Sequence, residues 1–155
     1  QIKWPNYIVC DGKKVCGILT EMSAQIDYIN YIVVGVGINV SNESFPEEVA
    51  ATATSLYLLT GVRISRAKLA AKIMAEFEKY YAIYLETQDL SGVMNEYNCH
   101  LVNRGRSVRV LDPRKEYTGV AQGINQNGEL LVQTEDGTAH VSSGEVSVRG
   151  LYGYV

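Results

Sequence analysis

A chain of 155 residues can form one ordinary domain or two small ones. Its 46% hydrophobic and 20% charged residues are normal for a globular protein, and no apolar run approaches the ~18 residues of a membrane span. The net charge of −3 gives no general electrostatic reason to bind nucleic acid, so any DNA contact would have to come from outside this chain.

The first forty residues read as strands. Lys3-Trp4-Pro5-Asn6 is an entry segment, because Pro5 cannot donate to a central ladder. Ile8-Val9-Cys10 and the run from Val15 to Met22 flank Asp11-Gly12, a pair suited to a type I′ hairpin turn with positive φ at both positions. Lys14 stands where the chain re-enters the second strand, so a fixed backbone can aim its ammonium at an anion. Ser23 to Asp27 is the next turn, and Tyr28 to Val34 a third, β-rich strand. No room is left for crossover helices, so the pairing is antiparallel. Gly35 and Gly37 follow. They suit either a ligand floor with exposed backbone or a bulge that relieves crowding against a helix. Asn39, just beyond, can offer its amide to a phosphate or to a metal-bound water.

Pro46-Glu47-Glu48 opens a short helix with acids at its positive end. Ala53 to Leu59 is a second, stopped by Gly61. Residues 65–86 carry the clearest helical signal: Ser65 is its N-cap, and Leu69, Ile73, Phe77, Tyr80, Tyr81 and Tyr84 form one apolar stripe. Such a stripe is expected to cover a sheet, with the hydroxyls at its rim. Leu90 to Leu101 is another helix despite Gly92, burying Val93, Met94, Tyr97 and Leu101. Beyond a linker at 103–106, short strands follow at Ser107–Leu111, Tyr117–Ile124, Leu130–Thr134, Thr138–Val141 and Val146–Arg149. Asn127-Gly128 and Asp136-Gly137 read as turns of the Asp11-Gly12 kind. Five short strands in about 45 residues make a small barrel or sandwich.

Cys10, Cys16 and Cys99 are odd in number and lack Cys-x-x-Cys spacing. Three small buried thiols in a reducing, cytoplasmic compartment are expected, rather than zinc ligands or a Cys10–Cys16 disulfide. The chain begins at Gln1 and enters a motif almost at once, with no signal-peptide pattern. It reads as the later part of a longer protein.

Four blocks then point to one family. Lys3-Trp4-Pro5-Asn6 with Lys14-Val15-Cys16-Gly17-Ile18-Leu19, Gly35-Val36-Gly37-Ile38-Asn39-Val40, Ala53-Thr54-Ser55-Leu56, and Gly144-Glu145-Val146-Ser147-Val148-Arg149 occur in the order found in biotin protein ligases. The chain resembles the later half of that catalytic domain plus its C-terminal domain. The resemblance implies an α+β fold: a mostly antiparallel sheet covered by helices, part of a class II synthetase-like domain, over residues 1–104, then a small SH3-like β-barrel over 105–155. It implies a ligase that activates biotin with ATP and Mg²⁺ as biotinyl-5′-adenylate and passes it to a lysine of a biotin carboxyl carrier protein. No tightly bound cofactor is expected.

By the same resemblance Lys14 contacts the biotin carboxyl and later the adenylate, above Gly35 and Gly37. Lys3, Asn6, Asn39, Glu145 and Arg149 lie on the nucleotide side, with Asn39 the candidate for Mg²⁺ through phosphate or water. Surface ion pairing is the plain alternative for Glu145 and Arg149. Two departures stand out. Tyr7 occupies the place of an aspartate that helps orient or deprotonate the acceptor amine, and a phenol cannot serve as a carboxylate; slowed transfer is expected. The arginine-glycine loop that closes over the ligands is absent from these residues, so the isolated chain is expected to be inactive or weakly active. His100 and His140 lie outside the matching motifs. The rival readings are a lipoate-attaching relative and a non-catalytic interaction piece, self-associating through the strand Tyr28–Val34. A DNA-binding role would require a helix-turn-helix outside this chain.

Overall fold

The computed structural model describes residues 1–112, 115–143 and 147–150. In chain order its elements are β1 (Ile2–Lys3), β2 (Tyr7–Cys10), β3 (Lys13–Ala24), β4 (Ile29–Ile38), α1 (Glu47–Ala50), α2 (Leu56–Thr60), α3 (Arg66–Thr87) and α4 (Ser91–His100). Then come β5 (Ser107–Leu111), β6 (Tyr117–Ile124), β7 (Leu130–Thr134), β8 (Gly137–Val141) and β9 (Ser147–Gly150). The fold is mixed α+β with antiparallel strand pairs throughout its sheets. Two compact units form, one from residues 6–64 and the other from residues 1–5 together with 65–155. The sequence boundary at 104/105 falls between α4 and β5, inside the second of these.

In the unit 6–64, β2, β3 and β4 lie side by side. Asp11 and Gly12 take φ of 49° and 72°, the left-handed pair that a type I′ turn demands. The next turn is later than the sequence suggests: Ser23 and Ala24 still belong to β3, and Gln25 N–H donates to Tyr28 O at 2.8 Å. β4 runs on through Gly35 and Gly37. Its pairing with β3 is continuous from Cys16↔Ile38 to Ser23↔Tyr31, so neither glycine is a bulge. Every β4 residue before Ile38 is exposed. Ser55 caps α2, its Oγ accepting from Leu58 N at 3.1 Å while donating to Asn42 O at 2.5 Å. Gly61 ends the helix at φ 69°.

In the other unit, β5 to β9 form one sheet in the order β8-β7-β6-β5-β9. β5, β6 and β7 have the bounds expected from the sequence. Val108, Val110, Ala121, Leu130, Val132 and Val148 point inward and are almost wholly buried. Trp4 belongs to the same core. Ile2 bridges to Leu101, and Val102 N–H donates to Ile2 O at 2.8 Å, so the first residues of the chain are tied into this unit. Trp4 is thus a core residue of the β-sheet unit.

Two turns differ from expectation. Gly128 and Gly137 have positive φ, but Asn127 and Asp136 do not, so neither dipeptide makes a type I′ turn. Asn125 organises the first: its Oδ1 accepts from the amides of Asn127 and Glu129 at 3.0 and 3.1 Å. In the second, Thr134 pairs directly with Gly137, leaving Glu135-Asp136 as the two-residue loop.

The α3 stripe is also a correction. Ser65 caps the helix as expected, its Oγ accepting from Lys68 N. Phe77, Tyr80, Tyr81 and Tyr84, however, are 39–55% exposed rather than core. Amphipathic spacing identifies an apolar face without specifying what covers it. Within the unit this face looks onto α4 across an apolar groove of about 430 Å³, where Tyr80 Oη donates to Glu96 Oε1 at 2.7 Å. On α4, Met94 and Tyr97 do pack against the core. Burial pushes the Tyr97 hydroxyl up to about 12.

Gly92 explains itself sterically. A Cβ there would collide with Ile83 Cγ2, so the bare α-carbon lets α4 approach α3 closely. Gly92→Ala is expected to destabilise the protein by about 1–3 kcal/mol through overpacking, despite alanine's better helix propensity. Denaturant unfolding checks the sign: a stabilised variant would contradict the close approach.

Candidate active site

The unit 6–64 carries a cleft of about 750 Å³ lined by β2, β3, β4, the residue before β2 and the residue after β4. Its walls include Asn6, Tyr7, Lys14, Gly17, Gly35, Gly37 and Asn39. Five positions singled out in the sequence therefore come together: Asn6, Lys14, Gly35, Gly37 and Asn39.

A β-bulge sets the direction of Lys14. Ile8 pairs with Cys16 but Val9 pairs with Lys14, so Val15 is an extra residue on β3. An extra residue breaks the alternation of side chains and re-aims those beside it. The Lys14 side chain consequently lies on the Gly17 face: a Cβ at Gly17 would be 2.9 Å from its Cε and 3.0 Å from its Nζ. Its backbone is held from the other side, where Lys14 N–H donates to Thr52 O at 2.8 Å and Thr54 N–H donates to Lys14 O at 2.9 Å. The Thr52-Ala53-Thr54 segment is what clamps the lysine strand.

The floor beside it is bare. Gly17 pairs with Gly37 and Leu19 with Gly35, which puts three glycines on one face of the β3–β4 ribbon. A Cβ at Gly35 or Gly37 would touch nothing nearer than a carbonyl oxygen at 3.7 Å. No crowding against a helix calls for these glycines within the unit.

The two asparagines are partly committed. Asn6 Nδ2 donates to Ile18 O at 2.7 Å, and Ile18 N–H donates back to Asn6 O at 2.9 Å. Asn39 Nδ2 donates to Thr54 O at 3.0 Å. Orienting the amide in this way leaves Asn39 Oδ1, an acceptor, as the atom suited to a metal-bound water. Mg²⁺ keeps much of its water shell and binds with few protein ligands, which this single neutral oxygen fits. Among the described residues no three His, Cys, Asp or Glu side chains gather into a metal site.

The remaining predicted residues belong to the other unit. Lys3 is buried there on β1, at 7% exposure. Arg149 is exposed on β9, directly opposite Arg109, which pairs with Glu116. Glu145 lies outside the described residues. His100 is exposed, and His140 Nδ1 lies 3.1 Å from the Glu129 carboxylate at the surface.

Among the cleft residues outside the predicted set, Gly17 and Cys16 lie beside Lys14, and so does Tyr7, which the sequence marked only as a departure from the family pattern. Lys14 Nζ sits 3.7 Å from the centroid of the Tyr7 ring. The signal for Gly17 was available, three residues past the lysine; its use as space for that lysine was not. Burial pushes the Cys16 thiol up, with the Lys14 ammonium pulling the other way. Since the thiolate is the reactive form, Cys16 is expected to be inert. All three cysteines are free, but against the expectation of three buried thiols only Cys16 is buried, with Cys10 half-buried and Cys99 exposed. Iodoacetamide should label Cys99 first and Cys16 last, an order that peptide mass spectrometry reads directly.

Residues 105–149 match the family described as biotin protein ligase C terminal domain. Over 150 residues the chain is 36% identical to the bifunctional ligase/repressor BirA of Bacillus spizizenii, covering 96% of this chain and 46% of that protein. It is 31% identical to the biotin–[acetyl-CoA-carboxylase] ligase of Mycobacterium tuberculosis, across 94% of this chain and 52% of the relative. The chain thus spans about half the length of these curated relatives. Among solved structures, a mutant of Aquifex aeolicus biotin protein ligase in complex with biotin superposes with a TM-score of 0.85 at 30% identity, over 96% of this chain and 61% of that one. The Aquifex enzyme in complex with biotin and ATP gives 0.80 over the same shares. Four sequence blocks in order, the C-terminal match and likeness along nearly the whole chain agree: residues 105–149 match the biotin protein ligase C-terminal family, and the chain as a whole is similar to the later half of biotin protein ligases.

Proposed function

We propose that the protein to which this chain belongs is an ATP-dependent biotin ligase. Biotin's carboxylate attacks the α-phosphate of ATP, giving biotinyl-5′-adenylate and pyrophosphate; the amine of a lysine on a biotin carboxyl carrier domain then attacks the anhydride, forming an amide and releasing AMP. Both steps build negative charge on oxygen, so catalysis needs positioning and cations aimed at that charge. The observation that carries the reading is Lys14, on a clamped strand, laid over the glycine-bared face. A compact ammonium on a flexible stem can follow charge that moves from carboxylate to acyl phosphate. Gly35 and Gly37 let a flat ring lie against the ribbon. Asn6 and Asn39 border the nucleotide, and Asn39 Oδ1 is the acceptor that would hold a Mg²⁺-bound water; the family resemblance assigns Lys3, Glu145 and Arg149 to the nucleotide as well. Residues 105–155 form the SH3-like module after a boundary at 104/105, and the enzyme works in the cytoplasm.

Mass spectrometry of a biotin carboxyl carrier domain incubated with the full protein, biotin and MgATP tests this: one biotinyl group on one lysine is expected. A lipoyl group taken up in place of biotin would replace the reading with its lipoate-attaching rival. A second reading, self-association, is favoured by β4, a ten-residue edge strand exposed on both faces. Such an edge invites pairing with a second copy. Sedimentation velocity with and without biotin would show a dimer and whether the ligand promotes it.

A further inference from the structure

We infer that Tyr7 is a positioning residue, whose ring holds the Lys14 ammonium over the cleft while Gly17 leaves the space it occupies. This deepens the biotin-ligase reading and rests on it for its consequence in binding. Its geometry stands on its own. Tyr7 pairs directly across the ladder with Gly17, so both face the same side of the sheet. The bulge at Val15 brings the Lys14 side chain to that side as well. Nζ then lies 3.7 Å from the ring centroid, well within the ~6 Å at which a cation is attracted to an aromatic face. Between them the position a Gly17 methyl group would take lies 2.9 Å from Lys14 Cε. A lysine has four rotatable stem bonds and would otherwise sample much of the cleft mouth. Resting it on a ring restricts that motion in advance, so less freedom is lost when an anion arrives. The ring neutralises nothing, and the ammonium keeps its full charge for a carboxylate. A carboxylate at residue 7 would compete with the substrate's acid for the same cation; a phenol ring does not.

The experiment uses the full protein and two readouts. The first is the NMR shift of the Lys14 ε-CH₂ protons in ligand-free protein, assigned by its loss in Lys14→Arg. A proton above an aromatic face is shielded, so the signal should lie upfield of the Lys13 ε-CH₂. It should stay there in Tyr7→Phe and return to the Lys13 position in Tyr7→Leu. Gly17→Ala should also move it back, because the added methyl displaces the stem while the ring remains. The second readout is the dissociation constant for biotin, expected to rise about two- to fivefold in Tyr7→Leu and to recover in Tyr7→Phe. An unshielded ε-CH₂ in the unmutated protein, or Tyr7→Phe behaving like Tyr7→Leu, would overturn the inference. Shielding that follows the ring while no variant binds biotin would uphold the positioning and instead defeat the ligase reading.

Discussion

Trp4→Ala is expected to cost about 3–5 kcal/mol of stability, the range for truncating a buried aromatic side chain. Trp4 is 3% exposed and packs within the core of the β5–β9 unit. Its Nε1 donates to Gly128 O at 3.1 Å, and its backbone N–H donates to Asn103 Oδ1 at 3.2 Å. Truncation would remove the indole's buried surface, open a cavity among β-branched side chains that cannot collapse into it, and leave the Gly128 carbonyl short of a donor. Trp4→Phe keeps most of the volume and loses only the donor, so a smaller cost of about 1–3 kcal/mol should follow. Urea unfolding of the three proteins separates the two contributions. A Trp4→Ala variant within about 1 kcal/mol of the parent would mean that the N-terminal residues do not seal this core.

In the ligase reaction proposed above, Lys14→Gln in the full protein should lower the rate of adenylate formation by about 10²–10³-fold, the loss seen when one preorganised donor to developing charge is removed. Glutamine keeps a polar end and most of the stem, so the cleft is conserved while the charge is not. Lys13→Gln is the control: Lys13 is exposed at the same hairpin, on the adjacent residue. Pyrophosphate release in a single turnover reads both variants. Equal losses would show that the hairpin contributes only general positive potential. A lysine-specific loss accompanied by weaker biotin binding would place the ammonium on the vitamin's carboxyl group.

Much of this fold was legible because local chemistry and tertiary demand agree. Asp11-Gly12 is a pair whose backbone preference names its turn, and short apolar runs bounded by turn residues delimit the strands at 107–111, 117–124 and 130–134. Asn127-Gly128 and Asp136-Gly137 show the limit of such dipeptides: loop length and the pairing of flanking residues, as at Thr134 and Gly137, chose other turns. Burial was less legible than periodicity. The tyrosine stripe of α3 has the spacing of a core face, yet spacing says nothing about whether a partner lies over it. For the cleft, Lys14 was identified through motif likeness, since one exposed hairpin lysine looks like its neighbour. What distinguishes it physically is the extra residue at Val15 and the empty volume at Gly17. Both are relations between strands rather than properties of either segment.

The chain's route through its two units has a practical consequence. The polypeptide enters the β5–β9 core with Trp4, leaves that unit for some sixty residues, rejoins it at Ser65 and reaches the core again only at Leu90 and Leu101. A piece excised from Gly105 onward, the natural cut by family likeness, would leave behind both Trp4 and Leu101. It should behave as a loosened globule that binds hydrophobic dyes, and a synthetic peptide bearing residues 1–5, joined ahead of α4, should tighten it again.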